Sequence, residues 1–203
     1  MNSMKIAVLA SGRGSNLQAI IDSVANGDCA AEIAVVLSDK SDAFALKRAE
    51  KAGIPNFYVN PKAYENKAAY ENKLLEYIRQ YDCEFIVLAG YMRLVGETLL
   101  AAFPNRIINI HPALLPAFPG LHGQKQALDY GVKVAGCTVH FVDGGMDTGK
   151  IIAQRVVAVL PDDDEDSLSA RILEQEHFIF PYVINKIAKG EVYLENNKVI
   201  IKE

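Results

Sequence analysis

The feature that most constrains this chain is a repeated alternation, through its first half and into its second, of short apolar runs with amphipathic segments. The runs at 5–10 (KIAVLA), 33–37, 57–59, 84–89 and 106–111 read as strands. The stretches at 17–25, 44–52, 66–81 and 96–103 carry the three- and four-residue spacing of helices. Strands that are apolar along their whole length are buried on both faces, and a strand–helix–strand alternation joins them through right-handed crossovers. The expected fold is therefore α/β, a three-layer, doubly wound, mostly parallel sheet. Past residue 112 the pattern changes. Pro112, Pro116, Pro119, Gly120 and Gly123 mark a loop, followed by a helix near 125–130. Two longer strands, 134–142 and 151–160, are joined by a glycine-rich connection at 143–149 and form an antiparallel portion. A long helix at 167–188 and a hairpin of 192–194 with 199–201 across Asn196-Asn197 complete the chain, the hairpin offering a further edge strand.

The run 106–111 (RIINIH) carries the first chemical signal. Side chains alternate along a strand, so Asn109 and His111 share one face while Ile108 and Ile110 share the other. Pro112 cannot donate to a ladder and ends the strand just past the histidine. An amide and an imidazole thus stand together at the carboxyl end of an inner strand, the edge of an open α/β sheet at which ligands bind.

A second signal is the turn Ser11-Gly12-Arg13-Gly14-Ser15-Asn16 between the first strand and first helix. Backbone N–H groups and the helix dipole make such a turn an anion site. Ser15 is expected to cap the helix, with Gln18 completing a capping box. The third glycine of a dinucleotide fingerprint is replaced by Leu17, and Asp39 is the sole acidic candidate at the end of the second strand. The turn therefore suits one phosphate better than a dinucleotide.

Glu176 falls on the apolar stripe Leu168, Ile172, Glu176, Phe180, and a buried carboxylate needs a partner from protein or ligand. Two readings stand for Asp147: a turn residue between glycines, or a carboxylate that favours the imidazolium form of His111. His140 reads by default as a satisfied core histidine, and 92–95 as a strand-to-helix connection at the same sheet edge as Asn109. The acidic run 162–166 reads as a solvated loop before a helix N-terminus.

Composition removes several classes. With 21 basic and 25 acidic residues the net charge is −4, which gives no basic footprint for nucleic acid. No apolar run reaches membrane-spanning length. The three widely spaced cysteines fit neither a disulfide framework nor a metal knuckle, so no metal is expected. With no room for a signal peptide before the first strand, the expected location is the cytoplasm.

Taken in order, 11–18 (SGRGSNLQ), 88–93 (LAGYMR), 109–116 (NIHPALLP), 119–122 (PGLH), 140–142 through 147–149 (HFV…DTG) and 175–177 (QEH) resemble the folate-dependent formyltransferase family. The likeness spans almost the whole chain. The turn and the length are most similar to those of its single-domain purine-pathway member. The resemblance implies a Rossmann-like formyltransferase fold with an antiparallel C-terminal portion, one domain over 1–203, with a phosphate-binding half (1–105) and a catalytic, folate-contacting half (106–203). It implies transfer of the formyl group of 10-formyltetrahydrofolate to the amine of glycinamide ribonucleotide. It assigns catalysis to Asn109, His111 and Asp147, phosphate binding to Gly14, Ser15 and Asn16, and the glycinamide substrate to Glu176. Folate contacts fall to Lys67, Met92, Arg93, Leu94, Val95 and Asn109. Lys67 stands where related enzymes often carry arginine, keeping the charge but losing the planar fork. Small-molecule partners, no nucleic acid, no membrane, and a monomer or weak homodimer follow. Two competing readings are hydrolysis of the formylfolate by water and a nucleotide-binding module without catalysis.

Overall fold

The computed structural model describes residues 3–196 and 198–202. Strands β1 (Met4–Leu9), β2 (Ala31–Ser38), β3 (Asn56–Tyr58), β4 (Phe85–Leu88), β5 (Ile107–His111), β6 (Val134–Phe141) and β7 (Ile151–Ala158) form one seven-stranded sheet in the order β3-β2-β1-β4-β5-β6-β7. Strands β3 through β5 are mutually parallel, and β6 and β7 are added antiparallel. The helices are α1 (Ser15–Ala25), α2 (Phe44–Lys51), α3 (Lys67–Gln80), α4 (Glu97–Ala102), α5 (Gly123–Tyr130) and α6 (Glu165–Ala188). The doubly wound expectation holds, as does the antiparallel portion.

Period-two alternation sorts the core into two layers. Ile6, Val8, Ile108 and Ile110 pack on one face with Leu17 and Ile20 of α1, Ala45 and Ala49 of α2, and Leu168, Ile172 and Phe180 of α6. Ala7, Leu9, Ile86 and Ile107 pack on the other with Tyr70, Leu74 and Ile78 of α3 and Leu99 of α4. The hairpin of β8 (Val192–Glu195) and β9 (Lys198–Ile201) forms, but as a separate two-stranded sheet. The edge of the main sheet on that side is β7, so the hairpin is not the expected edge strand. Asn197 of its turn lies outside the described residues. No described helix is long and apolar enough to cross a membrane.

Two helix starts differ from expectation. Helix α6 begins at Glu165, with Asp164 as N-cap in a reciprocal box with Ser167. Asp163 joins Arg171 in a two-bond pair, so the acidic run is the cap itself. Helix α1 is not capped by Ser15. Gly14 precedes it in the left-handed conformation (φ 69°), there is no side-chain cap bond among the described residues, and Gln18 turns to Asp22 and Arg48 instead. The reason is packing: a Cβ at Gly14 would lie 2.7 Å from Ala45 Cα, so α2 crowds the turn and only glycine fits there.

Candidate active site

Leu9, Leu88 and Asn109 are paired in one row across β1, β4 and β5, so the connections 10–14, 89–96 and 112–122 leave the sheet from the same edge. Asn109 and His111 extend on the side of Ile107, as alternation requires.

The 143–150 connection folds back over β6. Asp143 Oδ1 accepts from the Gly145 N–H and the Thr148 hydroxyl, which tightens the turn. A side chain at Gly149 would run into the Phe141 carbonyl oxygen, so the return path needs glycine. Asp147, itself at φ 55°, is thereby brought between two histidines. Its Oδ2 lies 3.4 Å from His111 Nδ1 and accepts from the Gly120 N–H at 2.8 Å, and its Oδ1 lies 3.6 Å from His140 Nε2.

Bonding fixes the ring states. A carbonyl can only accept, so the 2.8 Å contact of His140 Nδ1 with Phe141 O places a hydrogen on Nδ1. Burial pushes the His140 pKa below its ordinary value, keeping the ring neutral and leaving a lone pair on Nε2. Asn109 Nδ2 donates to that lone pair at 3.2 Å, which orients the amide and spends one of its two hydrogens. By the same argument His111 Nε2 carries a hydrogen and donates to Phe118 O at 2.8 Å. The buried His111 ring is thus held between the Phe118 carbonyl and Asp147.

The loop that supplies Phe118 is itself fastened to the sheet. Thr138, fully buried on β6 opposite His111, donates from Oγ1 to Ala113 O (2.7 Å) and accepts from Leu115 N–H (3.0 Å). Gln154 of β7 bonds both Thr138 Oγ1 and Leu115 O.

Glu176 is buried, as its place on the stripe required, and its partner is Asn16, whose Nδ2 donates to Oε2 at 2.7 Å. Burial raises the Glu176 pKa against the lowering effect of that bond. Asn16 Oδ1 is buried and has no hydrogen-bond partner among the described residues. Gly14, Ser15 and Asn16 surround the first turn of α1, where N–H groups lack helical partners.

Met92 and Leu94 are 64 % and 57 % exposed, and Arg93 lies 5.3 Å over the Tyr70 ring. Val95 is buried in the α3/α4 layer, so its side chain belongs to the core. Lys67 opens α3 and runs beside Gly96, at the end of the same segment.

The structure therefore brings Asn109, His111 and Asp147 together and joins Asn16 to Glu176. It adds His140, which the core reading left out of the site. Its ring is satisfied in the core as expected, but by Asn109 and Phe141, and it faces Asp147. The signal that would have found it is the antiparallel pairing of Asn109 with His140, which depends on the 112–133 connection rather than on local pattern.

The chain matches the model of the family described as formyl transferase over residues 4–184. It is 49 % identical over 183 residues to phosphoribosylglycinamide formyltransferase of Bacillus subtilis, covering 90 % of this chain and 94 % of that one. It is 46 % identical over 188 residues to the trifunctional purine biosynthetic protein adenosine-3 of Drosophila pseudoobscura, covering 92 % of this chain but only 14 % of the length of that relative. The crystal structure of glycinamide ribonucleotide transformylase 1 from Symbiobacterium toebii superposes with a TM-score of 0.97 at 49 % identity, covering 99 % of this chain and 95 % of that one.

Proposed function

Because the chain belongs to the formyl transferase family, we propose that it is a folate-dependent phosphoribosylglycinamide formyltransferase. It moves the formyl group of 10-formyltetrahydrofolate onto the amine of glycinamide ribonucleotide by direct amine attack. The observation that carries this reading is Asp147 facing both His111 and His140, with His140 in turn holding the Asn109 amide.

As the amine adds to the formyl carbon, the formyl oxygen gains negative charge. The unspent Asn109 N–H donates to it, pre-oriented by neutral His140. The amine gives up one proton and the folate nitrogen takes one up as its bond to carbon breaks. One imidazole cycling between its two protonation states balances the step, and His111 fills that role with Asp147 beside Nδ1. Gly14, Ser15 and Asn16 receive the phosphate on free N–H groups. Glu176 and the unpartnered Asn16 Oδ1 accept from amine or ribose hydroxyls. Exposed Met92 and Leu94 offer an apolar bed for the pterin, Arg93 and the Val95 backbone complete it, and Lys67 reaches the acidic tail of the folate. The reading takes 1–203 as one formyltransferase domain with its phosphate half at 1–105, working on small molecules in the cytoplasm as a monomer or weak homodimer.

Following absorbance of 10-formyltetrahydrofolate with and without glycinamide ribonucleotide tests it. Consumption that needs the ribonucleotide, and is lost in His111→Ala, is the expected result. Consumption without it would make the chain a hydrolase, and none in either case would leave a binding module.

A further inference from the structure

Ser11 opens the glycine turn but is not among the residues assigned to the phosphate (Gly14, Ser15 and Asn16), and Asp39 belongs to no set above; the two lie between the turn and the 90–95 segment. The segment after β4 starts at Gly90, in the left-handed conformation (φ 72°) with nothing packed where a Cβ would sit, and so is a backbone pivot that side-chain packing does not fix. Ser11 holds both sides of that pivot. Its N–H donates to Gly90 O at 3.0 Å, and its Oγ accepts from Met92 N–H at 2.9 Å. The segment is pinned again further on, where Tyr91 and Tyr70 hydroxyls pair at 2.9 Å and Glu71 accepts from Gly96 N–H at 2.6 Å. A serine hydroxyl has one hydrogen, and Asp39, 5 % exposed just past β2, takes it: Ser11 Oγ donates to Asp39 Oδ1 at 2.6 Å. With its hydrogen committed, the hydroxyl can present only lone pairs to Met92. A carboxylate acceptor makes this the stronger kind of hydrogen bond.

We propose that Asp39 and Ser11 are a positioning pair that sets the path of residues 90–95 from the turn that receives the phosphate. The pair governs affinity for the folate co-substrate rather than the chemical step. This rests on the formyltransferase reading for the identity of that ligand, but the geometric part does not.

The test compares the wild type with Ser11→Ala, Asp39→Ala and Asp39→Asn by two measurements. Amide hydrogen exchange at Met92 reads the path of the segment without any ligand. Steady-state kinetics, with calorimetric titration of 10-formyltetrahydrofolate, reads its use. In Ser11→Ala and Asp39→Ala, Met92 should lose its protection and both KM and Kd for formylfolate should rise about tenfold. The KM for ribonucleotide should move by less than about twofold and kcat by less than about threefold. Asp39→Asn keeps an acceptor oxygen for the hydroxyl and should stay within about threefold of wild type. Unchanged Met92 protection, an equal rise in both KM values, or Asp39→Asn as impaired as Asp39→Ala would overturn the proposal. Wild type that shows no formylfolate binding, together with the expected exchange pattern, would sink the formyltransferase reading and leave the positioning pair standing. Should Asp39→Ala not fold, Ser11→Ala, which removes one oxygen, carries the same comparison.

Discussion

The two ends of the site are built on different physical terms. The glycine turn at 11–16 presents backbone N–H groups, and its shape follows from one left-handed glycine wedged against α2. The cluster at Asn109, His111, His140 and Asp147 is made of side chains from two strands and a returning loop, each orienting the next. A backbone site tolerates most side-chain changes and fails when its path is altered. A side-chain network keeps the fold when a member is lost and fails in chemistry.

The sharpest way to break the comparison is on the chemical side. Asn109→Ala or His111→Ala should lower kcat by about 10²- to 10⁴-fold, while calorimetry finds ribonucleotide affinity within a few-fold of wild type. A comparable loss of affinity would mean that the two ends are one unit. On the other side, Gly14→Ala should cost about 2–4 kcal/mol in denaturant unfolding, combining strain at positive φ with a clash on Ala45. Phosphate affinity should fall with it, and a fully stable variant would show that α2 can yield. Thr138→Val keeps the shape but strands the Leu115 N–H, and should destabilise by about 1–3 kcal/mol. It should also lower kcat, because the loop that carries Phe118 loses its fastening.

The smallest effect depends on pH. Burial raises the Glu176 pKa, so above the ordinary value of 4.5 the unfolded chain releases a proton that the folded chain keeps. The side chain then costs stability increasingly as pH rises towards its folded pKa. Glu176→Gln should match wild type in thermal unfolding near pH 4 and exceed it by about one to a few degrees near pH 8. His140 runs the other way. Its lowered pKa means stability is fully present above the ordinary value of 6.5 and is lost as pH falls below it, so His140→Asn should flatten the acid side of the same profile.

The same division decides what could be read from residues alone. The burial of the parallel strands follows from local apolar runs. The shared face of Asn109 and His111 follows from period two, and burial of Glu176 from helical spacing. Each is a property of one element. His140 escaped because its neighbour across the sheet is set by pairing register, and Asp147 could be brought to His111 only through the family likeness. Its approach depends on a loop that reverses over a strand. The Ser15 cap failed for a related reason: it is a sound local rule, overruled by the packing of α2 against Gly14. Chemistry that depends on two elements meeting is less legible than chemistry carried on one.

The bond between Asn16 and Glu176 spans 160 positions in the chain. Closing so long a loop costs more chain entropy than closing one inside a βα unit, by an amount that grows slowly with length. During synthesis the turn and β1 emerge early, but their carboxylate partner arrives only when α6 docks. A nascent chain without α6 therefore lacks both part of the core layer over β1 and β5 and the Asn16–Glu176 contact of the proposed pocket. Because this contact joins the first and last helices of the main fold, the proposed activity would report on assembly of the whole chain more strictly than helical content does.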